Sequence, residues 1–142
     1  MKKSIQTVHK IVAPVENVWE FIKSGEKWEK WLPILSGSEV VGNSRTCDMP
    51  TEDGNKDVFE ELFIASDAEK TFIYQINKQQ SFPADDIVGY IRLTETGDFT
   101  TMYWTVEMSI DSEEVFAPLK EQIEGIYASG AAKLEDLATV SA

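Results

Sequence analysis

The chain has little of what most catalytic machinery is built from. It holds one cysteine, Cys47, and one histidine, His9. A single thiol cannot close a disulfide within the chain, and sparse cysteine suits a reducing compartment, so a cytoplasmic location is expected. A lone histidine on a strand is more often structural than catalytic, and Cys47 has no identifiable histidine partner for a thiolate nucleophile. No set of residues has metal-ligand spacing. Asp85-Asp86 and Glu113-Glu114 are adjacent pairs whose side chains diverge on regular elements, so neither a metal nor a cofactor is expected. A glycine-rich phosphate loop is also missing. No apolar run approaches the roughly 20 residues of a membrane-spanning helix. The basic Met1-Lys2-Lys3 leads into alternating polar and apolar residues, not into the apolar core of a signal peptide. Arginine is scarce, with only Arg45 and Arg92, and 13 basic against 25 acidic residues leave a net charge of −12. Such a surface disfavours nucleic acid and anionic membranes as partners.

What is present suffices for a folded domain. At 142 residues and 16.0 kDa, one domain covering 1–142 is expected, burying about 68% of its extended surface. The hydrophobic content of 42% and charged content of 27% exclude a disordered chain. Residues 1–30 carry six lysines against four glutamates, so the acidity lies in the remainder. Its simplest use is solubility.

Periodicity divides the chain into elements. Residues 4–12 read as a strand that Pro14 stops. Val15, Val18, Trp19 and Ile22 then fall at helical spacing over 15–23, with Pro14 before or at the first position and Glu16 favoured by the helix dipole. Ser24-Gly25 ends that helix. A second short helical segment places Trp28, Trp31, Leu32 and Leu35 on one face, with Pro33 limiting its length. Strands follow over 38–41, 45–49, 56–65, 70–77, 87–95 and 99–110, separated by turn residues such as Gly42-Asn43 and Thr96-Gly97-Asp98. Residues 78–86 form a longer polar loop containing Pro83. A long helix over about 114–139 carries the stripe Phe116, Leu119, Ile123, Ile126, Tyr127, Gly130, Leu134 and Leu137. Pro118 is expected in its first turn. The order implies an α+β fold: a curved antiparallel sheet of six to seven strands, two short helices after the first strand, and a long helix on one face.

Several of these residues together resemble the polyketide cyclase/dehydrase branch of the SRPBCC superfamily, which has the START-like helix-grip fold. They are Ala13-Pro14-Val15-Glu16 with Val18-Trp19, then Trp28, Trp31 and Pro33, then Arg45 after a turn glycine. A glutamate near the middle of the fourth strand, Tyr74 with Ile76, Trp104 and Gly125-Ile126-Tyr127 complete the series. Their order and spacing over nearly the whole chain carry the resemblance. It implies a deep apolar cavity but no particular reaction, since the superfamily includes lipid carriers, hormone sensors and aromatase-cyclases.

Strand parity nominates the cavity lining. Counting across the Thr96–Phe99 turn sets Ile91 opposite Trp104, Gly89 opposite Val106 and Leu93 opposite Met102 on an apolar inner face. Tyr90, Arg92, Tyr103, Thr105 and Glu107 are then left to solvent. Gly89 removes a side chain there and favours open volume. Counting across 66–69 pairs Phe72 with Phe63 and Tyr74 with Glu61. Counting across 51–55 sets Arg45 opposite Glu61, and a one-residue shift would substitute Glu60. The inward set is therefore Phe59, Glu61, Phe63, Phe72, Tyr74 and Ile76. Glu61 beside Arg45 is either a polar anchor in a greasy site or a plain cross-strand ion pair. On the long helix Ile123, Ile126, Tyr127 and Gly130 face the sheet. Gly130 leaves room for a ligand or for close packing by Trp104, the second being simpler. Trp28, Trp31 and Leu32 cap the pocket.

The leading functional expectation is binding of a small hydrophobic or amphipathic ligand, lipid- or polyketide-like. The alternative is a cyclase or dehydratase working on such a ligand by acid–base chemistry through Glu61, Tyr74, Tyr127 and Arg45. A third reading is a protein-interaction module that uses the acidic surface. No recognisable catalytic motif decides between them, the catalytic residues are unassigned, and the oligomeric state is open between monomer and homodimer.

Overall fold

The computed structural model describes residues 1–140. Seven strands form one antiparallel sheet: β1 (Lys2–Ile11), β2 (Gly37–Val41), β3 (Ser44–Pro50), β4 (Lys56–Ser66), β5 (Thr71–Lys78), β6 (Asp85–Thr96) and β7 (Phe99–Ser109). Their order across the sheet is β1-β7-β6-β5-β4-β3-β2. The last six strands are thus a meander, and β1 closes it by pairing with β7. The short β2–β3 hairpin turns on Gly42-Asn43, where Gly42 has φ of +61°.

Two α-helices flank the sheet among the described residues, α1 (Val15–Ile22) and α2 (Glu113–Val140). Pro14 is the N-cap of α1, and Val15, Val18, Trp19 and Ile22 are its buried face. The second expected short helix is reduced to a single 3-10 turn, Trp28–Lys30. Lys27 enters it with φ of +59°, and Pro33 has no N–H to extend it. The remaining helical bonds run from Trp31 N–H and Leu32 N–H to the Trp28 carbonyl. They are enough to keep Trp28, Trp31 and Leu32 facing inward.

Pro118 also departs from expectation. Helix α2 starts at Glu113, so Pro118 lies in its second turn and gives the Glu114 carbonyl no N–H partner. The start is held elsewhere: the Phe116 N–H bonds the Ser112 carbonyl at 3.1 Å, and Lys3 of β1 pairs with Glu113. Near the other end the Val12 N–H donates to Glu135 Oε2 at 2.7 Å, and Asn17 Nδ2 donates to the Ala138 carbonyl at 3.2 Å. These contacts lay α2 along β1 and α1.

The buried stripe of α2 is Leu119, Ile123, Tyr127, Gly130, Ala131, Leu134 and Ala138, with Phe116, Ile126 and Leu137 partly exposed. It packs with Ile5, Ile11, Val18, Trp19 and Ile22 in one core. Full burial of each Ile or Leu side chain contributes about 1.5–3 kcal/mol. No helix among the described residues is long and apolar enough to cross a membrane.

Register agrees with strand counting at two hairpins and departs at one. Ile91 faces Trp104, Gly89 faces Val106, and Arg45 faces Glu61. On β4 and β5, Phe63 pairs with Tyr74 and Ala65 with Phe72, while Glu61 faces Ile76. The turn occupies 67–70, the same length as expected but one residue further along the chain, and Lys70 turns with φ of +50°. The offset of two leaves every side chain on its expected face. The register also shifts between Glu60, which pairs with Lys78, and Glu61, which pairs with Ile76. Thr105, expected at solvent, is buried because β7 runs inside the sheet and Gln6 of β1 bonds its hydroxyl.

Candidate functional site: a pocket between the sheet and α2

Helix α2 lies over the β1 side of the sheet, and the strands beyond it curl back without meeting it fully. A pocket of about 90 Å³ remains. Its walls are Arg45, Cys47 and Met49 of β3, Phe59 and Glu61 of β4, Tyr74 and Ile76 of β5, Ile87 of β6, and Trp104, Val106 and Met108 of β7. Leu119, Ile123, Ile126 and Tyr127 of α2 form the opposite wall, with Trp28, Leu32, Ile34 and Leu35 at one end. Phe82 and Ala84 come from the 79–84 loop. Ile34, Leu35, Ile76, Phe82 and Ile126 are only partly buried and form the rim.

Among the described residues, the charged feature of the pocket lining is Arg45 with Glu61, at 2% and 6% exposure. Arg45 Nε donates to Glu61 Oε1 at 2.7 Å, and Nη2 donates to the same oxygen. Nη1 donates to the Gly25 carbonyl at 3.2 Å. Gly25 can present that carbonyl because it holds φ of +76° with Phe63 and Phe72 ring carbons 3.2–3.4 Å from where a Cβ would sit. The guanidinium also lies 4.1 Å from the centre of the Trp28 ring, a cation–π arrangement that a desolvated site strengthens. Burial pushes the Glu61 carboxyl above the ordinary carboxylate range, against the pull of Arg45. Glu60, the neighbour one residue away, is exposed and pairs with Lys78.

Three aromatic groups form a second polar point. Trp104 stacks on Tyr127 with ring centres 3.6 Å apart. Trp104 Nε1 donates to the Tyr74 hydroxyl at 3.1 Å, and the two tyrosine hydroxyls are 3.4 Å apart. Burial pushes the Tyr74 phenol up to about 12 and the Tyr127 phenol well above its usual 10. Burial likewise pushes the Cys47 thiol up to about 12, outweighing Arg45 nearby. Cys47 is therefore expected to stay unreacted with a thiol-specific disulfide reagent at pH 8 under native conditions and to react fully in denaturant. Native reactivity matching that of the denatured chain would show the thiol to be accessible and ionisable.

Of the residues nominated from sequence, Trp28, Leu32, Arg45, Phe59, Glu61, Tyr74, Trp104, Ile123 and Tyr127 line the pocket. Trp31, Phe63, Gly89, Ile91 and Gly130 do not. Ile91 is fully buried in the core, and Phe63 stacks on Phe72 outside the cavity. Trp31 is wedged between Trp28 and Trp104. The space at Gly89 is not open: a Cβ there would lie 2.2 Å from the Tyr74 ring. Gly130 serves close packing, but against Leu32 and Trp31 at 2.9 and 3.3 Å, not against Trp104. A leucine at 130 would therefore act first on those side chains, of which Leu32 lines the pocket, and not by projecting into open space.

The loop contribution was unmarked by strand patterning. Asp57 accepts hydrogen bonds from Gln80 N–H, Ser81 N–H and the Ser81 hydroxyl at 2.7–2.8 Å. Burial opposes its charge, yet those bonds hold its carboxyl below the usual range. Gln79 closes the same loop onto Phe82 and Ala84, which brings Phe82 against Phe59. The one signal was Phe82, an aromatic in a polar stretch.

A curved seven-stranded antiparallel sheet around a long C-terminal helix is the helix-grip architecture of the START/SRPBCC superfamily. The chain belongs to the family described as polyketide cyclase/dehydrase and lipid transport, whose model matches residues 2–139. None of the curated proteins matches it. Solved structures share the fold. A START superfamily protein from Mycobacterium smegmatis is 13% identical with a TM-score of 0.81, over 98% of this chain and 99% of that one. The protein XoxI from Bacillus cereus is 22% identical with a TM-score of 0.80, over 96% and 95%. The ZhuI aromatase/cyclase of a Streptomyces species is 12% identical with a TM-score of 0.79, over 98% and 94%. At these identities the likeness is one of fold.

Proposed function

We propose that the protein binds a small hydrophobic or amphipathic molecule in the pocket between the sheet and α2. The observation that carries this reading is the pocket itself, a partly open apolar space with few polar groups on its walls. The acid–base alternative has less support. The tyrosines and the thiol hold their protons far above neutrality, and Glu61 is engaged by Arg45. Its best argument is the family description, which joins cyclases and lipid transport under one heading.

Size bounds the ligand. A dry engineered cavity of about 150 Å³ admits benzene. At about 90 Å³ the enclosed space is smaller than that, so a one-ring body would fit only by extending into the open rim.

Ile123 tests the reading because it lines the pocket from α2. Ile123→Phe adds volume into the cavity, so the usual 1–3 kcal/mol penalty for overpacking is expected to be small. Toluene binding, followed by ligand-observed NMR, is expected to weaken at least tenfold while the melting temperature changes little. Unchanged toluene binding by a folded Ile123→Phe variant would place the ligand elsewhere.

A further inference from the structure

The hydrogen bonds around Arg45 and Glu61 are lopsided. Two guanidinium nitrogens converge on one carboxylate oxygen, Oε1. The other oxygen, Oε2, accepts no hydrogen bond from any described residue. It is not sealed in either, because no buried side-chain oxygen or nitrogen among the described residues lacks a partner. Glu61 lines the pocket, so Oε2 reaches the cavity as an unoccupied acceptor on a residue 6% exposed. Arg45, by contrast, is turned toward Oε1, the Gly25 carbonyl and the face of Trp28.

The tyrosine pair shows the complementary deficit. Tyr74 and Tyr127 have two hydroxyl protons between them, and one of these is used in their mutual contact. Trp104 uses an acceptor site on Tyr74 and takes up no proton. One phenolic O–H therefore has no acceptor among the described residues, and both tyrosines line the same pocket. An apolar cavity with one vacant carboxylate acceptor and one vacant hydroxyl donor matches a ligand group that donates and accepts.

We propose that the pocket selects an uncharged ligand bearing a hydroxyl, an alcohol or phenol on a compact apolar body, whose proton goes to Glu61 Oε2 while its oxygen accepts from the tyrosine pair. Carboxylate ligands are disfavoured, because Arg45 is committed to Glu61 Oε1, the Gly25 carbonyl and the Trp28 ring and offers them no free cation. This rests on the pocket being the ligand site, and it makes Glu61 the residue that sets specificity.

Four para-substituted toluenes separate the terms: p-cresol, its isostere p-xylene, and the larger 4-methylanisole and 4-methylbenzoate, each titrated into the protein at pH 7 by isothermal calorimetry. The phenol stays protonated there, as a tyrosine does. Methylation to the anisole removes the donor and adds a methyl group, and p-xylene, which matches p-cresol in size, controls for shape. In the wild type, p-cresol is expected to bind at least tenfold more tightly than either 4-methylanisole or p-xylene, with no binding of 4-methylbenzoate. In Glu61→Gln, whose amide can turn an N–H toward the cavity, the preference for p-cresol over the anisole is expected to fall below threefold. Equal binding of p-cresol and 4-methylanisole to the wild type would overturn the proposal while leaving the pocket reading intact. So would 4-methylbenzoate binding as tightly as p-cresol, which would assign recognition to Arg45. Binding of none of the four would defeat the pocket reading itself. The wild-type series decides the matter even if Glu61→Gln fails to fold.

Discussion

Arg45→Met is expected to destabilise the protein by about 3–5 kcal/mol, the loss found when one partner of a buried ion pair is removed. The pair has 2% and 6% exposure, so neither charge has water to fall back on. Arg45 also holds the Gly25 carbonyl and faces Trp28, and methionine replaces only the packing. Glu61→Leu alone is expected to cost a similar amount. The double variant should cost far less than the sum, because two apolar side chains of similar volume need no mutual compensation. Urea titrations of all four proteins measure the coupling. Costs that simply add would show that the two side chains do not act as a pair.

The same cycle has a pH signature. Burial raises the folded-state pKa of Glu61 above its unfolded value of 4.5. The folded state then binds the proton more tightly, so the stability due to this group is full below the unfolded pKa. It is lost as pH rises through the folded pKa. The double variant lacks this loss. Its stability relative to wild type is expected to improve as pH rises from about 4.5 toward neutrality. A difference that stayed flat or moved the other way would mean that the pairing with Arg45 outweighs burial.

Gly89→Ala is expected to produce the second large effect. A methyl group at 89 would sit 2.2 Å from a Tyr74 ring carbon and 2.3 Å from its hydroxyl oxygen. Tyr74 cannot swing aside freely, since Trp104 and Tyr127 hold its hydroxyl and Phe72 and Trp28 flank its ring. A loss of about 1–3 kcal/mol is expected for such overpacking, larger than the few tenths typical of an exposed strand position. Tyr74→Leu should relieve it, making Gly89→Ala nearly neutral in that background. Thermal melts of the two single variants and the double variant provide the check. An unchanged cost in the Tyr74→Leu background would mean that the clash is not with Tyr74.

These two cases also mark where reading the sequence succeeds and where it stops. Period-two alternation decides which face a side chain takes. It put Arg45, Tyr74 and Trp104 inward and favoured Glu61 over Glu60 without deciding between them; the observed β3–β4 register sets Glu61 inward. It survived the miscounted β4–β5 turn because a slip of two residues keeps parity. Alternation says nothing of what meets a face from across the core. Gly89 therefore reads as open space and Gly130 as room for a ligand or, more simply, for Trp104, though Tyr74 fills the first and Leu32 with Trp31 the second. The same blindness hid the contribution of Phe82 and Ala84, which reach the pocket only because Asp57 and Gln79 fold their loop inward. Nor could composition foretell that the Trp28 segment would shrink to one 3-10 turn, since the apolar spacing is the same for both.

Methyl-resolved NMR of the protein titrated with p-cresol tests most directly whether the pocket is the ligand site. Ile87, Met108, Leu119 and Ile123 line the cavity, whereas Leu62, Ile64 and Ile73 present exposed apolar surface on the other face of the sheet. Saturable shifts are expected at the four cavity residues, with the three outer residues unmoved. Shifts confined to Leu62, Ile64 and Ile73, with the cavity methyls silent, would contradict the assignment of the pocket as the binding site.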